Sequence, residues 1–229
     1  MLSIFLPIKS TSKRIKNKNF LKINNHDLGL TDIKINQLLK LKKLLRKKID
    51  IEIVVSTDEK KIINKYINFP FLKIFKRKKF LTRDDCLNDL IKEVPKLCSF
   101  KYILWTHVTS PMFTSSEYIN FIMCFFKQKK FKSAFSATLI STFFMNDNYN
   151  WMSHDYKKKK WPRTQDLKNF YLVNNAAFIA TRQNYITYND RLDNKPMPII
   201  SKKYSDLDID EKIDLFFYKN FFRKKKFLV

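Results

Sequence analysis

Up to about residue 140 this chain alternates two kinds of segment: short β-branched or aromatic runs, and longer stretches whose apolar residues recur at helical spacing. Strands that are apolar throughout need cover on both faces, and the intervening helices supply it. The alternation therefore predicts an α/β fold with a mostly parallel sheet flanked by helices. Residues 2–8, 51–55, 71–75, 102–106, 133–139 and 171–180 read as strands. Thr31 or Asp32 caps a helix that reaches about Lys48, and residues 59–68 form a second. Asp84 or Asp85 opens a third, which runs through Lys92 and stops before Pro95. Ser115 caps a helix over 116–127, and residues 211–222 form the last. Between 141 and 169 the rhythm breaks into Asn, Tyr, Trp and Lys without helical period, which predicts an inserted arm or hairpin. The length of 229 residues fits one domain, 1–229, with that arm inside it.

The chain holds a single glycine, Gly29. Both glycine-rich phosphate motifs, the P-loop and the dinucleotide fingerprint, are thereby excluded. Any phosphate site must use side chains and non-glycine backbone. Lys and Arg number 46 against 21 Asp and Glu, a formal charge of +25. A nucleic-acid partner is one reading of that charge. The other is biased composition, since Lys, Asn, Ile and Phe are all abundant and all have AT-rich codons. The basic residues are spread along the whole chain, which favours the second reading. Cys86, Cys98 and Cys124 form no CxxC pair and read as free thiols. No apolar run reaches the ~20 residues that span a bilayer, and the first residues lack a signal-peptide layout, so a cytoplasmic protein without a membrane partner is expected.

Open parallel sheets bind ligands at the carboxyl ends of their strands. After the first strand comes Lys9-Ser10-Thr11-Ser12-Lys13-Arg14-Ile15-Lys16-Asn17-Lys18-Asn19, where hydroxyls and ammonium groups alternate. Such a loop can cradle a triphosphate, or it can be a solvated basic loop. Ser56-Thr57-Asp58 and His107-Val108-Thr109-Ser110-Pro111 follow two further strands. Near the far end stand Asp206, Asp208 and Asp210, followed by Asp214. In an extended segment the first three share one face, as ligands of Mg²⁺ would. The plain alternative is an acidic helix N-terminus.

Taken together, these segments resemble the acylneuraminate cytidylyltransferase family. Residues 6–19 are similar to its IPARGGSKRIPRKN loop, and Val54-Val55-Ser56-Thr57-Asp58-Glu59 to VVSTDD. Val108-Thr109-Ser110-Pro111 is similar to the tail of QPTSPLR, Arg163-Thr164-Gln165-Asp166-Leu167 to RRQDLP, and residues 174–179 to NGAIYI. Leu207-Asp208-Ile209-Asp210 with Asp214 is similar to IDIDTxxD, and Arg77, Leu81 and Asp84 to RPxxLAxD. The blocks span about residues 2 to 217. The Arg163 block is lacking in the related Kdo cytidylyltransferases.

The resemblance implies a Rossmann-like nucleotidyltransferase sheet with an inserted dimerisation arm, hence a homodimer. It implies that CTP and an acidic nonulosonic sugar give the CMP-sugar and pyrophosphate. Lys9, Ser12 and Lys13 would hold the triphosphate, Lys18 and Asn19 would contact the nucleotide, and Arg77 would sit near the cytosine. Asp208 and Asp210 would hold Mg²⁺, and Asp210 would accept the sugar's hydroxyl proton. His107, Ser110, Arg163, Gln165 and Asn174 would face the sugar. The chain departs from the family pattern in several places. Ser10-Thr11 replaces a glycine-rich pair, Lys9 an Arg, His107 a Gln, Phe113 an Arg or similar residue and Asn175 a Gly. An inactive relative and a nucleic-acid binder on the same fold are the alternatives.

Overall fold

The computed structural model describes residues 1–23, 25–83 and 85–224. Seven strands form one sheet: β1 (Leu2–Ile8), β2 (Ile51–Thr57), β3 (Leu72–Lys76), β4 (Tyr102–Thr106), β5 (Ser133–Ile140), β6 (Phe170–Thr181) and β7 (Met197–Ile200). Their order is β3-β2-β1-β4-β6-β5-β7. The first four are mutually parallel, β6 runs against β4 and β5, and β7 lies parallel to β5. Among the described residues six α-helices accompany them: α1 (Gly29–Leu45), α2 (Lys60–Tyr66), α3 (Leu87–Leu97), α4 (Ser115–Lys127), α5 (Arg182–Tyr188) and α6 (Lys212–Lys224).

Successive strand residues point to opposite faces, and β1 shows the result. Ile4 and Leu6 join Leu38 and Leu41 of α1 and Phe121 of α4 in one core. Phe5, between them, joins Trp105, Leu90 and Val94 of α3, and Tyr185 of α5 in the other. This is the helix-flanked, mostly parallel sheet that the alternation implied.

Several local features differ from the sequence expectations. The first helix opens at Gly29, ahead of Thr31, because the Asp32 side chain reaches back to accept the Leu28 N–H at 2.9 Å. The third helix opens at Leu87 and runs past Pro95 to Leu97. Pro95 sits in the last turn, where the ladder loses one bond and resumes with the Cys98 N–H to the Val94 carbonyl at 3.0 Å. Asp84 lies outside the described residues. Two elements carry no pattern in the sequence. Helix α5 is largely polar and is capped by Thr181, which accepts from the Asn184 N–H. Strand β7 contains Pro198, which is tolerated at the sheet edge.

Residues 141–169 leave the sheet where β5 ends and return where β6 begins, at the Ile140–Phe170 pair. They hold one isolated bridge, Met145 to Trp151, and a 3-10 turn at Thr164–Asp166. Phe143, Trp151, His154, Tyr156 and Trp161 form an aromatic cluster in which Trp151 stacks on Tyr156. Among the described residues no helix is long and apolar enough to cross a membrane.

The sole glycine stands where no other residue fits. Gly29 has φ +49°, and a Cβ there would lie 1.9 Å from the Leu21 carbonyl oxygen. Gly29→Ala is expected to cost about 2–4 kcal/mol of stability, read as a lower midpoint in urea unfolding. An unchanged midpoint would contradict it.

Candidate active site

At the carboxyl ends of β1, β3 and β4 the sheet opens into a cleft of about 450 Å³, within the range of small-molecule sites. Lys9, Lys13, Arg14, Lys18, Arg77 and Arg83 line it, and among the described residues Asp210 is its one carboxylate. The field is strongly positive and suits a polyanion.

The loop after β1 closes without glycine. Ser12 Oγ donates to the Ile15 carbonyl and accepts the Lys18 N–H at 3.1 Å. Asn19 Nδ2 donates to the Lys9 carbonyl at 3.1 Å. Asn17 takes the left-handed conformation at φ +55°, the geometry Asn tolerates best after Gly. The β1–β2 register sets Ile8 beside Thr57, so Asp58 stands next to Ser10. Its carboxylate accepts the Ser10 N–H at 2.9 Å and the Ser10 hydroxyl at 2.5 Å. The Ser10-Thr11 pair is thus a braced segment of the loop.

Arg77 follows β3 and is buried. It donates through Nη2 to the Ser56 carbonyl at 2.5 Å and through Nε to Ser56 Oγ at 3.2 Å. Burial lowers its pKa to about 10, with Asp58 opposing. His107 follows β4, lines the cleft and accepts from Trp105 Nε1 at 2.8 Å. Burial, Arg191, Lys34 and Arg77 push its pKa down to about 3, and Asp210 pulls upward.

Asp210 arrives just before α6. Its Oδ1 takes Lys18 Nζ at 2.8 Å and its Oδ2 takes Arg14 Nη2 at 2.8 Å. Burial pushes its carboxyl up, but Lys18 and Arg14 outweigh this and hold it below the usual range. The expectation of an extended segment with three carboxylates on one face is corrected, because Asp206 lies in a turn, residues 207–210 are irregular and each carboxylate has its own partner. Asp206 accepts from Thr138 of β5 at 2.8 Å, and Asp208 Oδ2 from Asn175 of β6 at 3.3 Å. The Ile209 N–H donates to the Thr109 carbonyl at 2.7 Å, tying this segment to the loop after β4. Asp214 caps α6 by accepting the N–H groups of Asp210 and Glu211.

Lys9, Ser12, Lys13, Lys18, Asn19, Arg77, His107 and Asp210 therefore share one cleft. Five other expected site residues do not line it. Asp208 is not among the lining residues, and its buried Oδ1 lacks a hydrogen-bond partner among the described residues. Ser110 is buried, and its carbonyl accepts Lys34 Nζ at 2.9 Å. Asn174 is buried between Ser136 and Ser201, so its amide serves the sheet. Arg163 and Gln165 are exposed in the 141–169 segment, where Arg163 pairs with Asp166 at 3.0 Å. Asn175 is not among the positive-φ residues, so its backbone does not call for the family's glycine. Arg14, Arg83 and Trp105 belong to the cleft but were not assigned from the sequence, and neither was Asp58 as the brace. Asp58 had a legible signal: it follows the strand paired in register with β1.

Compared with known protein families and with curated proteins, the sequence matches none. Solved structures do match. The 4-diphosphocytidyl-2C-methyl-D-erythritol synthase of Anaerococcus prevotii is 12% identical with a TM-score of 0.64, covering 97% of this chain and 98% of that one. A CMP:2-keto-3-deoxy-manno-octonic acid synthetase complexed with CTP is 14% identical with a TM-score of 0.65, over 97% and 98%. The fold is the Rossmann-like nucleotidyltransferase fold.

The neutral His107 gives a direct check. Its ring proton shifts are expected to stay constant between about pH 8 and pH 5, because ionisation lies below that window. A transition centred between about 6 and 7 would contradict this environment.

Proposed function

We propose that the protein is a cytidylyltransferase that activates an acidic nonulosonic sugar with CTP and releases pyrophosphate. One observation carries the reading: six cations and Asp210 converge in a single cleft, although Asp210 lies 192 residues from Lys18. The names of both structural neighbours support cytidylyl chemistry on this fold. The Arg163 block supports the nonulosonic branch.

In the proposed reaction the sugar's anomeric hydroxyl attacks the α-phosphorus in line, its proton passes to solvent water, and the bond to the pyrophosphate oxygen breaks. Such transfers depend on positioning and charge neutralisation. Lys9, Lys13 and Lys18 supply point charges to the phosphates, with Lys18 held by Asp210. Arg77, pinned to Ser56, supplies a fixed charge near the cytosine. Asp208 and Asp210 would hold Mg²⁺, and the orphaned, buried Oδ1 of Asp208 fits a cation ligand. When bound, Mg²⁺ supplies further neutralisation of phosphate charge. Among the described residues no three His, Cys, Asp or Glu side chains gather to hold a metal, so the nucleotide phosphates would complete the set. With its carboxyl depressed by Lys18 and Arg14, Asp210 is a weaker base than an ordinary aspartate. Its part in this reading is chiefly electrostatic.

A homodimer belongs to the same proposal. Tyr149 is 84% and Trp161 64% exposed in the 141–169 segment, and Tyr171, Leu172 and Val173 of β6 are about half exposed. Pairing of these faces would let Arg163 and Gln165 serve the sugar site of a second copy.

The test is pyrophosphate release from CTP with Mg²⁺ and a panel of acidic sugars of eight and nine carbons. Release is expected only when a nonulosonic acid is present. Lys13→Ala and Asp210→Asn should each lower kcat/KM by about 100-fold or more. No release with any acid of the panel would overturn the reading.

A further inference from the structure

Trp105 is fully buried beneath the cleft, with Phe5 at 4.9 Å between ring centroids and the Arg191 guanidinium 5.0 Å from its own centroid. Arg191 also stacks on Phe178 at 4.0 Å. The indole has one polar atom, Nε1, and it sits 2.8 Å from Nε2 of His107. An indole N–H can only donate, so Nε2 must be the acceptor and cannot carry a hydrogen. The neutral imidazole then keeps its hydrogen on Nδ1. Burial and the cations of Arg191, Lys34 and Arg77 favour that neutral ring, and Asp210 opposes it. His107 lines the cleft, and its Nδ1 has no partner among the described residues.

We infer that Trp105 is a positioning residue that fixes His107 as a neutral Nδ1–H donor to an acceptor oxygen of the acidic sugar. The inference rests on the proposed reading of the cleft and adds a specificity element to it. Flexible ammonium groups bind any anion of suitable size with little directional preference. A neutral ring held at one nitrogen donates along one direction. A site built to hydrogen-bond one substrate atom rejects analogues that lack it.

Two measurements on the whole protein test this. Long-range ¹H–¹⁵N spectra without ligand, at about pH 7, should place the proton on Nδ1. In Trp105→Phe the two tautomers should mix. In the pyrophosphate assay, His107→Leu should raise the sugar KM about ten-fold and leave the CTP KM within about two-fold. Trp105→Phe should move the sugar KM the same way by a smaller factor. His107→Leu leaves the buried indole in place, so its result stands even if Trp105→Phe folds poorly. A proton on Nε2 in the unaltered protein, or an unchanged sugar KM in His107→Leu, would overturn the inference. If no acidic sugar reacts, the functional reading fails and the sugar contact with it, while the spectrum still decides the Trp105–His107 arrangement.

Discussion

The contact of Asp210 with Lys18 and Arg14 is the interaction on which the cleft depends. A chain of formal charge +25 gathers six cations around one hollow, and like charges at short range repel. Lys18 is one of the most buried of them, with its side chain only 11% exposed. A buried ammonium needs a partner, and the loop itself contains no acid. Asp210 answers both needs from the far end of the sequence. The Ile209–Thr109 and Asp214 hydrogen bonds deliver it there at a fixed position. The same carboxylate that lets the loop assemble therefore offsets part of the positive field around Lys18 and Arg14. A polyanion entering the cleft meets cations already oriented by that link.

Near-absence of glycine changes how a phosphate-type loop is made. A glycine-rich loop uses bare backbone and loses much conformational entropy on folding. Here Ser12, Asn19 and Asp58 restrain the loop through side-chain bonds to backbone groups, and Asn17 takes the one left-handed turn. The restraint is covalently cheap but geometrically coupled. Ser10 is held by a residue of the next strand over, so the loop inherits the β1–β2 register. Only at Gly29 does space itself exclude a side chain.

The central sheet was legible because its strands are apolar on both faces, and the helix-flanked architecture follows from that alone. The cleft was partly legible for a related reason: β1, β3 and β4 end together, so Lys9, Arg77 and His107 had to be neighbours. The three aspartates misled because alternation in an extended segment was assumed where residues 207–210 are irregular and each carboxylate finds its own donor. Helix α5 escaped because its buried residues are few, Asn184 and Tyr185, and carry no helical period. Asn174 and Ser110 matched a motif in spelling, but short polar strings do not say which face of the chain meets the core.

Ser110 shows how such a motif divides its labour. Lys34 of α1 is fully buried, and its ammonium donates to the carbonyls of Ser110 and Phe113 and to the Tyr118 hydroxyl. Gln37, one turn on, donates to the Pro111 carbonyl at 2.7 Å. Residues 110–113 are thus nailed to α1 from below, while His107, Val108 and Thr109 face the cleft. Burial lowers the Lys34 pKa to about 7, with Asp208 opposing. Lys34 thus carries a charge that burial opposes, beneath a cationic cleft. It still closes three hydrogen bonds when protonated. The rigidity of the loop and the electrostatic load of the site therefore meet in one side chain, on a helix that contributes nothing to the cleft wall itself.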